Sequence, residues 1–335
     1  MNSKKHRIGI FGAGGWGTSL AALLSNNGHS VILWTHEVEV NNEINQYHTN
    51  STYLKGVELP QGLKSTLNPD DLNDYDIIVI AIPTQYIRET INKYDIKLEH
   101  KIVASVAKGI EKETYFRVSE ILNDVAGVSE EQYVILTGPS HAEEVSRQFA
   151  TTVVAASKSI TSAVMIQNSF TTPNFRVYTT DDVIGCEIGG SLKNVIAIAA
   201  GIIDGLKMGD NTKAALITRG LAEMSRLGVA LGANPQTFSG LSGLGDLYVT
   251  CSSKFSRNRF VGEEIGRSKK IDQITNEMKM VAEGVSTTKS AHFLALQHNV
   301  ELPIVNKVYK ILFEGLSPLS ALQKLMTRET KSEWW

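Results

Sequence analysis

The segment Arg7-Ile8-Gly9-Ile10-Phe11-Gly12-Ala13-Gly14-Gly15-Trp16-Gly17 decides the architecture of this chain. Its first five residues read as a buried strand, and the six that follow fit G-x-G-x-x-G. Residues 18–27 then read as a helix closed by Gly28. A glycine turn between strand and helix bends tightly and lets backbone amides approach a phosphate at the helix N-terminus. The hexapeptide alone is weak, because any tight turn favours glycine. Here it occupies the first strand-to-helix junction, and a second strand follows at residues 30–34, which is the context a dinucleotide-binding unit requires.

Outward from this turn, residues 76–82 are almost entirely apolar, as in a strand buried on both faces of a parallel sheet. Residues 101–106, 133–136 and 151–156 continue the series with helical stretches between them. The first half therefore predicts βαβ units and a doubly wound sheet of Rossmann type. The texture changes near residues 181–185, and from Gly189 onward helical patterns take over at 192–203, 212–231, 283–298 and 302–314. The expected fold is α/β: a dinucleotide-binding Rossmann domain over 1–185, then an all-α substrate and catalytic domain over 186–335. Between residues 231 and 262 the chain is polar and rich in Gly and Ser, which predicts a long functional loop.

Composition narrows the function. A length of 335 residues favours two domains, and 42% apolar with 20% charged residues is an ordinary globular balance. The net charge of -2 argues against a general binder of nucleic acid or anionic membranes. Cys186 and Cys251 form no C-x-x-C pair and are too few for a disulfide framework, so they read as small buried hydrophobes. No His or Cys cluster has ligand spacing, and no metal site is expected. The basic start and the apolar residues 8–11 resemble a signal peptide superficially, but the run breaks into glycine too early. The longest apolar stretch, about 195–203, falls short of the ~20 residues a bilayer requires. These features predict a soluble, cytoplasmic protein without an integral membrane segment.

Past the second strand stands Thr35-His36-Glu37. An acidic residue about 20 positions beyond the glycines commonly accepts from the ribose 2′-hydroxyl. His36 stands where an Asp would repel a 2′-phosphate, while Glu37 keeps the diol reading, so NAD and NADP are both admitted. Hydride exchange with a secondary alcohol also needs a group that holds the hydroxyl proton. Of the eight histidines, only His141 lies in a motif-like segment. Lys108 sits at the C-terminal end of a strand, where doubly wound sheets bind ligands. Lys193, in Gly189-Gly190-Ser191-Leu192-Lys193-Asn194, is expected at the opening of the second domain's first helix. There the helix dipole and partial burial would both favour the neutral amine. A solvated surface lysine is the duller alternative, and the apolar run 195–200 speaks for burial. Asp246 is the obvious carboxylate to hold that amine, with a plain helix cap as its bland role. Arg219 and Glu223, four apart, read as a surface pair. Ser256-Arg257-Asn258 offers an arginine fork and small donors on a flexible loop, suited to a phosphate monoester, while Asn194 and Thr250 could donate to polyol hydroxyls.

The segments Gly12 to Thr18, Ala107-Lys108-Gly109, Gly138 to Glu144, Gly189 to Asn194, Gly243-Leu244-Gly245-Asp246-Leu247 and Ser256-Arg257-Asn258 together resemble bacterial NAD(P)-dependent glycerol-3-phosphate dehydrogenases. They match in order from about residue 7 to about residue 315. The resemblance implies NAD or NADP as cofactor and interconversion of sn-glycerol 3-phosphate and dihydroxyacetone phosphate, supplying phospholipid backbones. It implies Lys193 as proton acceptor, with Lys108 and Asp246 in the same catalytic set and Lys108 touching both substrate and nicotinamide. Gly138, Ser140, Asn194, Asp246, Ser256, Arg257 and Asn258 would line the substrate pocket. Gly12, Gly14, Gly15, Trp16, Gly17, His36, Ala142, Arg257, Val281 and Glu283 would hold the cofactor. Gly15-Trp16 departs mildly from the Ser-Tyr often found there, at a place where a backbone amide does the work. A homodimer is compatible with a buried helical second domain. Two rivals stand beside this reading. A related hydroxyacid or 6-phosphogluconate-type dehydrogenase would share the fold without needing Ser256-Arg257-Asn258. A non-catalytic NAD(P)H-sensing module would bind the dinucleotide without turnover.

Overall fold

A computed structural model describes residues 4–94, 96–278, 280–330 and 332–333. Eight strands form one sheet: β1 (Arg7–Phe11), β2 (Ser30–Trp34), β3 (Lys64–Thr66), β4 (Ile77–Ile80), β5 (Ile102–Ser105), β6 (Tyr133–Thr137), β7 (Thr151–Ala156) and β8 (Phe175–Thr180). Their order is β3-β2-β1-β4-β5-β6-β7-β8. The first six run parallel, β7 lies antiparallel to β6, and β8 runs parallel to β7. Around this sheet lie α1 (Gly15–Asn26), α2 (Val38–Tyr47), α3 (Thr84–Tyr94), α4 (Val118–Ala126), α5 (Ala142–Val145) and α6 (Ile160–Phe170). Alternate strand residues feed opposite layers, as the two-residue strand period dictates. Ile8, Ile10, Ile77 and Val79 pack in one core, and Phe11, Ile78 and Ile80 in the other. This is the doubly wound sheet expected. Strand order reverses between β1 and β4, and such a reversal opens a crevice at the strands' C-terminal ends.

Two strands escaped the sequence reading. β3 is three polar residues with no apolar signal, and β8 shows only alternation, with Phe175 and Val177 inward and Arg176 and Tyr178 outward.

The helices α7 (Val183–Gly205), α8 (Gly209–Ala230), α9 (Asp246–Ser252), α10 (Arg257–Gly266), α11 (Ile271–Glu277), α12 (Glu283–Gln297), α13 (Pro303–Phe313) and α14 (Pro318–Met326) make up the rest. They pack around α7, which is long and apolar enough to cross a membrane but has its whole apolar window buried inside the protein. Its apolar length therefore exceeds the stretch 195–203 read from sequence. α7 also starts earlier than expected. Asp182 caps it by accepting from the Gly185 amide at 3.0 Å, and the helix runs through Gly189 and Gly190 without a break. These glycines answer to packing. A Cβ at Gly189 would stand 2.6 Å from the Ser242 carbonyl oxygen, and one at Gly190 would stand 3.2 Å from Thr137 Oγ1.

Two further expectations are corrected. Residues 231–262 are not a long loop. They hold a 3₁₀ turn (Pro235–Ser239), a π turn (Leu241–Gly245), α9 and the first half of α10. Asp182 Oδ2 pins this segment by accepting from the Asn234 amide at 3.0 Å and Thr237 Oγ1 at 2.5 Å. Glu223 is not half of a surface pair with Arg219. It is buried and accepts from the amides of Ile304 at 2.6 Å and Val305 at 3.1 Å, satisfying N-terminal donors of α13 that have no partner within the helix. Burial pushes its carboxyl up to about 7.

A buried polar knot seats α7 on the sheet. Glu187 accepts from Arg117 Nη1 at 2.7 Å, Ser119 N at 2.8 Å and Tyr133 Oη at 2.8 Å. Cys186 and Cys251 are both buried free thiols, as expected.

Candidate active site

A cleft of about 630 Å³ opens at the C-terminal ends of β1, β4 and β5 and is closed from the other side by α7, α10 and the start of α12. One wall is the glycine turn. Gly12 takes a φ of +119° while its amide donates to the Trp34 carbonyl at 3.1 Å, a backbone that disfavours any side chain. A Cβ at Gly17 would fall 2.0 Å from the Gly12 carbonyl oxygen, so that glycine lets α1 rise directly out of the turn. Gly14 differs: a Cβ there would meet nothing within 4 Å, so the glycine leaves its approach open. The first turn of α1 has no side-chain cap and no acidic residue. Its amides are left for an anion, and the residues present fit a dinucleotide pyrophosphate.

The opposite wall carries a buried charge cluster. Asp246, 1% exposed, accepts from Lys193 Nζ through Oδ1 at 2.5 Å and from Lys108 Nζ through Oδ2 at 2.7 Å. Lys193 also donates to Thr250 Oγ1 at 2.9 Å, and Lys108 donates to the Gly138 carbonyl at 3.1 Å. Burial lowers the Lys193 ammonium to about 8, with the Lys108 charge pushing the same way and Asp246 opposing. Burial alone would raise the Asp246 carboxyl, but the two ammonium groups outweigh it and hold it below the usual range. Of the two causes expected for the Lys193 shift, burial acts and the helix dipole does not. Lys193 lies in the interior of α7, far beyond the first turn, so the helix dipole has no part in it.

Around this cluster an amide relay ties four elements together. Asn194 Nδ2 donates to the Lys108 carbonyl at 3.0 Å, Asn258 Nδ2 donates to Asn194 Oδ1 at 3.0 Å, and Gly284 N donates to Asn258 Oδ1 at 2.9 Å. Ser256-Arg257-Asn258 is therefore no flexible loop. Ser256 caps α10 by accepting from Arg259 N at 3.2 Å, while the exposed Arg257 donates through Nη1 to the Val281 carbonyl at 2.8 Å. Glu283 Oε1 accepts from Thr84 N at 2.8 Å and Thr84 Oγ1 at 2.9 Å, joining α12 to the start of α3. Ser140 donates to the Gly138 carbonyl at 2.9 Å.

The cleft thus gathers nearly every site residue singled out in the sequence. Gly17, Gly138 and Asp246 stand behind its lining, and the rest, from Gly12 to Glu283, form it. Sequence reasoning missed several neighbours. Tyr53 donates to Glu37 Oε1 at 3.0 Å, and the Thr84–Glu283 contact spans 199 residues with no local signal. Tyr86, Thr90 and Tyr94 line the cleft from one stripe of α3, a pattern that helical spacing could have found. His141 also lines the cleft, its ring 6.0 Å from that of Phe255. Burial, then the Lys193 charge, pushes its imidazole down to about 4, so it stays neutral at physiological pH.

Comparison with known proteins fixes the family. Residues 7–163 match the family described as NAD-dependent glycerol-3-phosphate dehydrogenase N-terminus, and residues 182–323 match its C-terminus. The chain belongs to the NAD-dependent glycerol-3-phosphate dehydrogenase family. Glycerol-3-phosphate dehydrogenase [NAD(P)+] of Chlorobium phaeobacteroides (strain BS1) is 50% identical over 333 residues, covering 98% of this chain and 99% of that one. The protein of the same description from Listeria monocytogenes serotype 4b (strain CLIP80459) is 48% identical, covering 99% of both. The crystal structure of glycerol-3-phosphate dehydrogenase from Coxiella burnetii superposes with a TM-score of 0.91 at 37% identity, over 97% of this chain and 99% of that one. Two matched regions thus describe this glycerol-3-phosphate dehydrogenase family member, and the second begins at Asp182, the residue that caps α7.

Proposed function

We propose that this cleft carries out the reaction named for its relatives, the NAD(P)-dependent interconversion of sn-glycerol 3-phosphate and dihydroxyacetone phosphate. The observation that carries the reading is the pair of lysines held on one buried aspartate across the cleft from the glycine turn. The dinucleotide, held by the turn from Gly12 to Gly17 with Trp16, His36, Ala142, Val281 and Glu283, supplies or accepts a hydride when bound.

Lys193 holds the proton. In the reductive direction its ammonium gives a proton to the C2 oxygen as the carbonyl becomes an alcohol, and in oxidation its free amine takes that proton back. An amine lowered to about 8 is near the working pH, which suits both directions. Asp246 orients the two amines and keeps Lys193 from losing its proton entirely. Lys108 adds positive charge beside the same oxygen, and Thr250 fixes the Lys193 amine from its other side. Arg257 grips the phosphate with Ser140, Asn194, Ser256 and Asn258 around the polyol, and the Gly138 carbonyl keeps Lys108 in place. Residues 1–185 would bind the dinucleotide and residues 186–335 would supply the substrate side. The protein then works as a soluble cytoplasmic homodimer whose product feeds phospholipid synthesis. The test is reduction of dihydroxyacetone phosphate, assayed with NADH and NADPH side by side. Turnover is expected with this substrate. Faster turnover with 6-phosphogluconate or a hydroxyacyl-CoA, or tight NADPH binding with no turnover at all, would discard the reading.

A further inference from the structure

A second cavity, of about 450 Å³, lies between the C-terminal ends of α12 and α14 and the first half of α13. It shares no lining residue with the catalytic cleft. Much of its wall is apolar, formed by Leu296, Val300, Leu302, Val305 and Leu325. His292 lines it too, with its ring stacked on that of Tyr309 at a centroid distance of 4.0 Å. A concave apolar wall with a few polar groups aimed across it is the usual make-up of a small-molecule site.

The polar groups here are mostly cations. Lys307 comes from α13, Lys324 from the last turn of α14, and Arg328 from just beyond it. Among the described residues, Glu301 is the one carboxylate that lines the cavity, and Arg328 Nη2 donates to it. Nearby, Arg226 donates to the Glu301 carbonyl, and Lys310 pairs with Glu314 at 3.9 Å. Lys307 and Lys324 have neither an ion pair nor a hydrogen-bond partner among the described residues. Burial, then the charges of Lys310, Lys324 and Arg328, pushes the Lys307 ammonium down. A chain of net charge -2 thus concentrates positive charge at one concave spot. Mutual repulsion of that kind costs stability, and a bound dianion offsets it. We infer that this cavity binds a phosphate monoester with an apolar body, its phosphoryl group on Lys307 and Lys324 and its body against Leu296, Val300 and Leu325. A phosphate dianion satisfies two ammonium groups offered from two helices, where a single carboxylate would leave one charge unmatched. The site is separate from the catalytic cleft and stands independently of the dehydrogenase reading.

Titration calorimetry with phenyl phosphate and with inorganic phosphate tests this, in the wild type and in Arg257→Ala, where phosphate binding in the cleft is weakened. In Arg257→Ala, phenyl phosphate should still bind at one site per chain, about tenfold or more tightly than inorganic phosphate, because its ring covers apolar wall. Adding Lys307→Gln or Lys324→Gln should weaken that binding by about tenfold or more, the scale of a charge-assisted hydrogen bond, and Lys307→Arg should retain it. Lys307→Gln alone should leave kcat unchanged. Its melting temperature without ligand should match or exceed that of the wild type, since repulsion is relieved, and the rise that phenyl phosphate gives the wild type should shrink. If Lys307→Gln melts well below the wild type, Lys324→Gln, at an exposed position, decides instead. Binding that vanishes in Arg257→Ala yet survives both lysine substitutions would assign the phosphate to the cleft and overturn the inference. Inorganic phosphate binding as tightly as phenyl phosphate would overturn the apolar body.

Discussion

Replacing Lys193 with alanine is the most direct probe of the buried charge cluster. The residue is 6% exposed and its amine bridges Asp246 and Thr250. Its removal does not strand a charge, because Asp246 keeps Lys108 at 2.7 Å. The fold should therefore survive, and the loss should fall on chemistry. A positioned proton donor contributes about 10²–10⁴ in rate, so kcat should drop by that factor.

The pH dependence sharpens the test. With an amine that titrates near 8, reduction needs the ammonium: its rate should be flat at lower pH and fall about tenfold per unit above 8. Oxidation needs the free amine, so its rate should rise about tenfold per unit up to that point and then level. At pH 7 roughly one Lys193 in ten is neutral, which leaves the reductive direction favoured near neutrality. Initial rates in both directions, followed by nicotinamide absorbance across the pH range, read both limbs. Lys193→Ala should lose the limb near 8 along with the rate. A variant within about tenfold of wild-type turnover, still carrying that limb, would show that another group moves the proton.

Three further outcomes follow from the same geometry. Arg257→Ala should raise KM for dihydroxyacetone phosphate by about ten- to a hundredfold with a much smaller change in kcat, since a phosphate fork contributes about 1.5–3 kcal/mol of binding; a pure kcat effect would argue against the assignment. Gly14→Ala should leave the melting temperature near wild type, because its Cβ meets nothing within 4 Å, yet weaken dinucleotide binding in a fluorescence titration, whereas Gly17→Ala, with its Cβ 2.0 Å from the Gly12 carbonyl, should destabilise the fold outright; equal melting temperatures would contradict the packing. The Glu223 carboxyl is raised to about 7 in the folded chain against 4.5, so its contribution to stability is complete below about 4.5 and is lost as pH rises through 7. Glu223→Gln should therefore gain a few degrees of melting temperature relative to wild type between pH 5 and pH 8, and a pH-independent difference would refute this.

Much of the fold and of the site was legible because it is carried by local order. The strand, the glycine turn and the helix of residues 7–26 follow one another in the chain, and the nearly all-apolar β4 announces burial on both faces. Lys108, Lys193 and Asp246 stood out because their surroundings are small and apolar where a solvated charge would not need them to be, and Arg257 because small polar donors flank its guanidinium. What stayed hidden depends on contacts between distant segments. Glu223 looks like a solvated helix charge until α13, 81 residues further on, presents amides that need an acceptor. The Gly- and Ser-rich stretch from 231 to 262 reads as a loop, yet small residues are also what close packing demands: a Cβ at Gly243 would lie 2.1 Å from the Phe238 carbonyl oxygen.

Lys193 shows why the distinction matters for chemistry. At a helix opening the dipole and burial would both lower the amine, whereas inside α7 burial alone does so. A dipole effect would respond to the helix cap, so disturbing Asp182 would move the titration. A burial effect responds to what excludes water from the amine, chiefly the packing of α7 against α9 and α10. Thr250→Val separates the two. It keeps the volume beside Lys193, removes the 2.9 Å hydrogen bond to the amine, and leaves the helix start untouched. The limb near 8 should move to lower pH, because the ammonium loses an acceptor in a site that already disfavours its charge. A limb that stays fixed in Thr250→Val but shifts in Asp182→Ala would return the cause to the helix dipole.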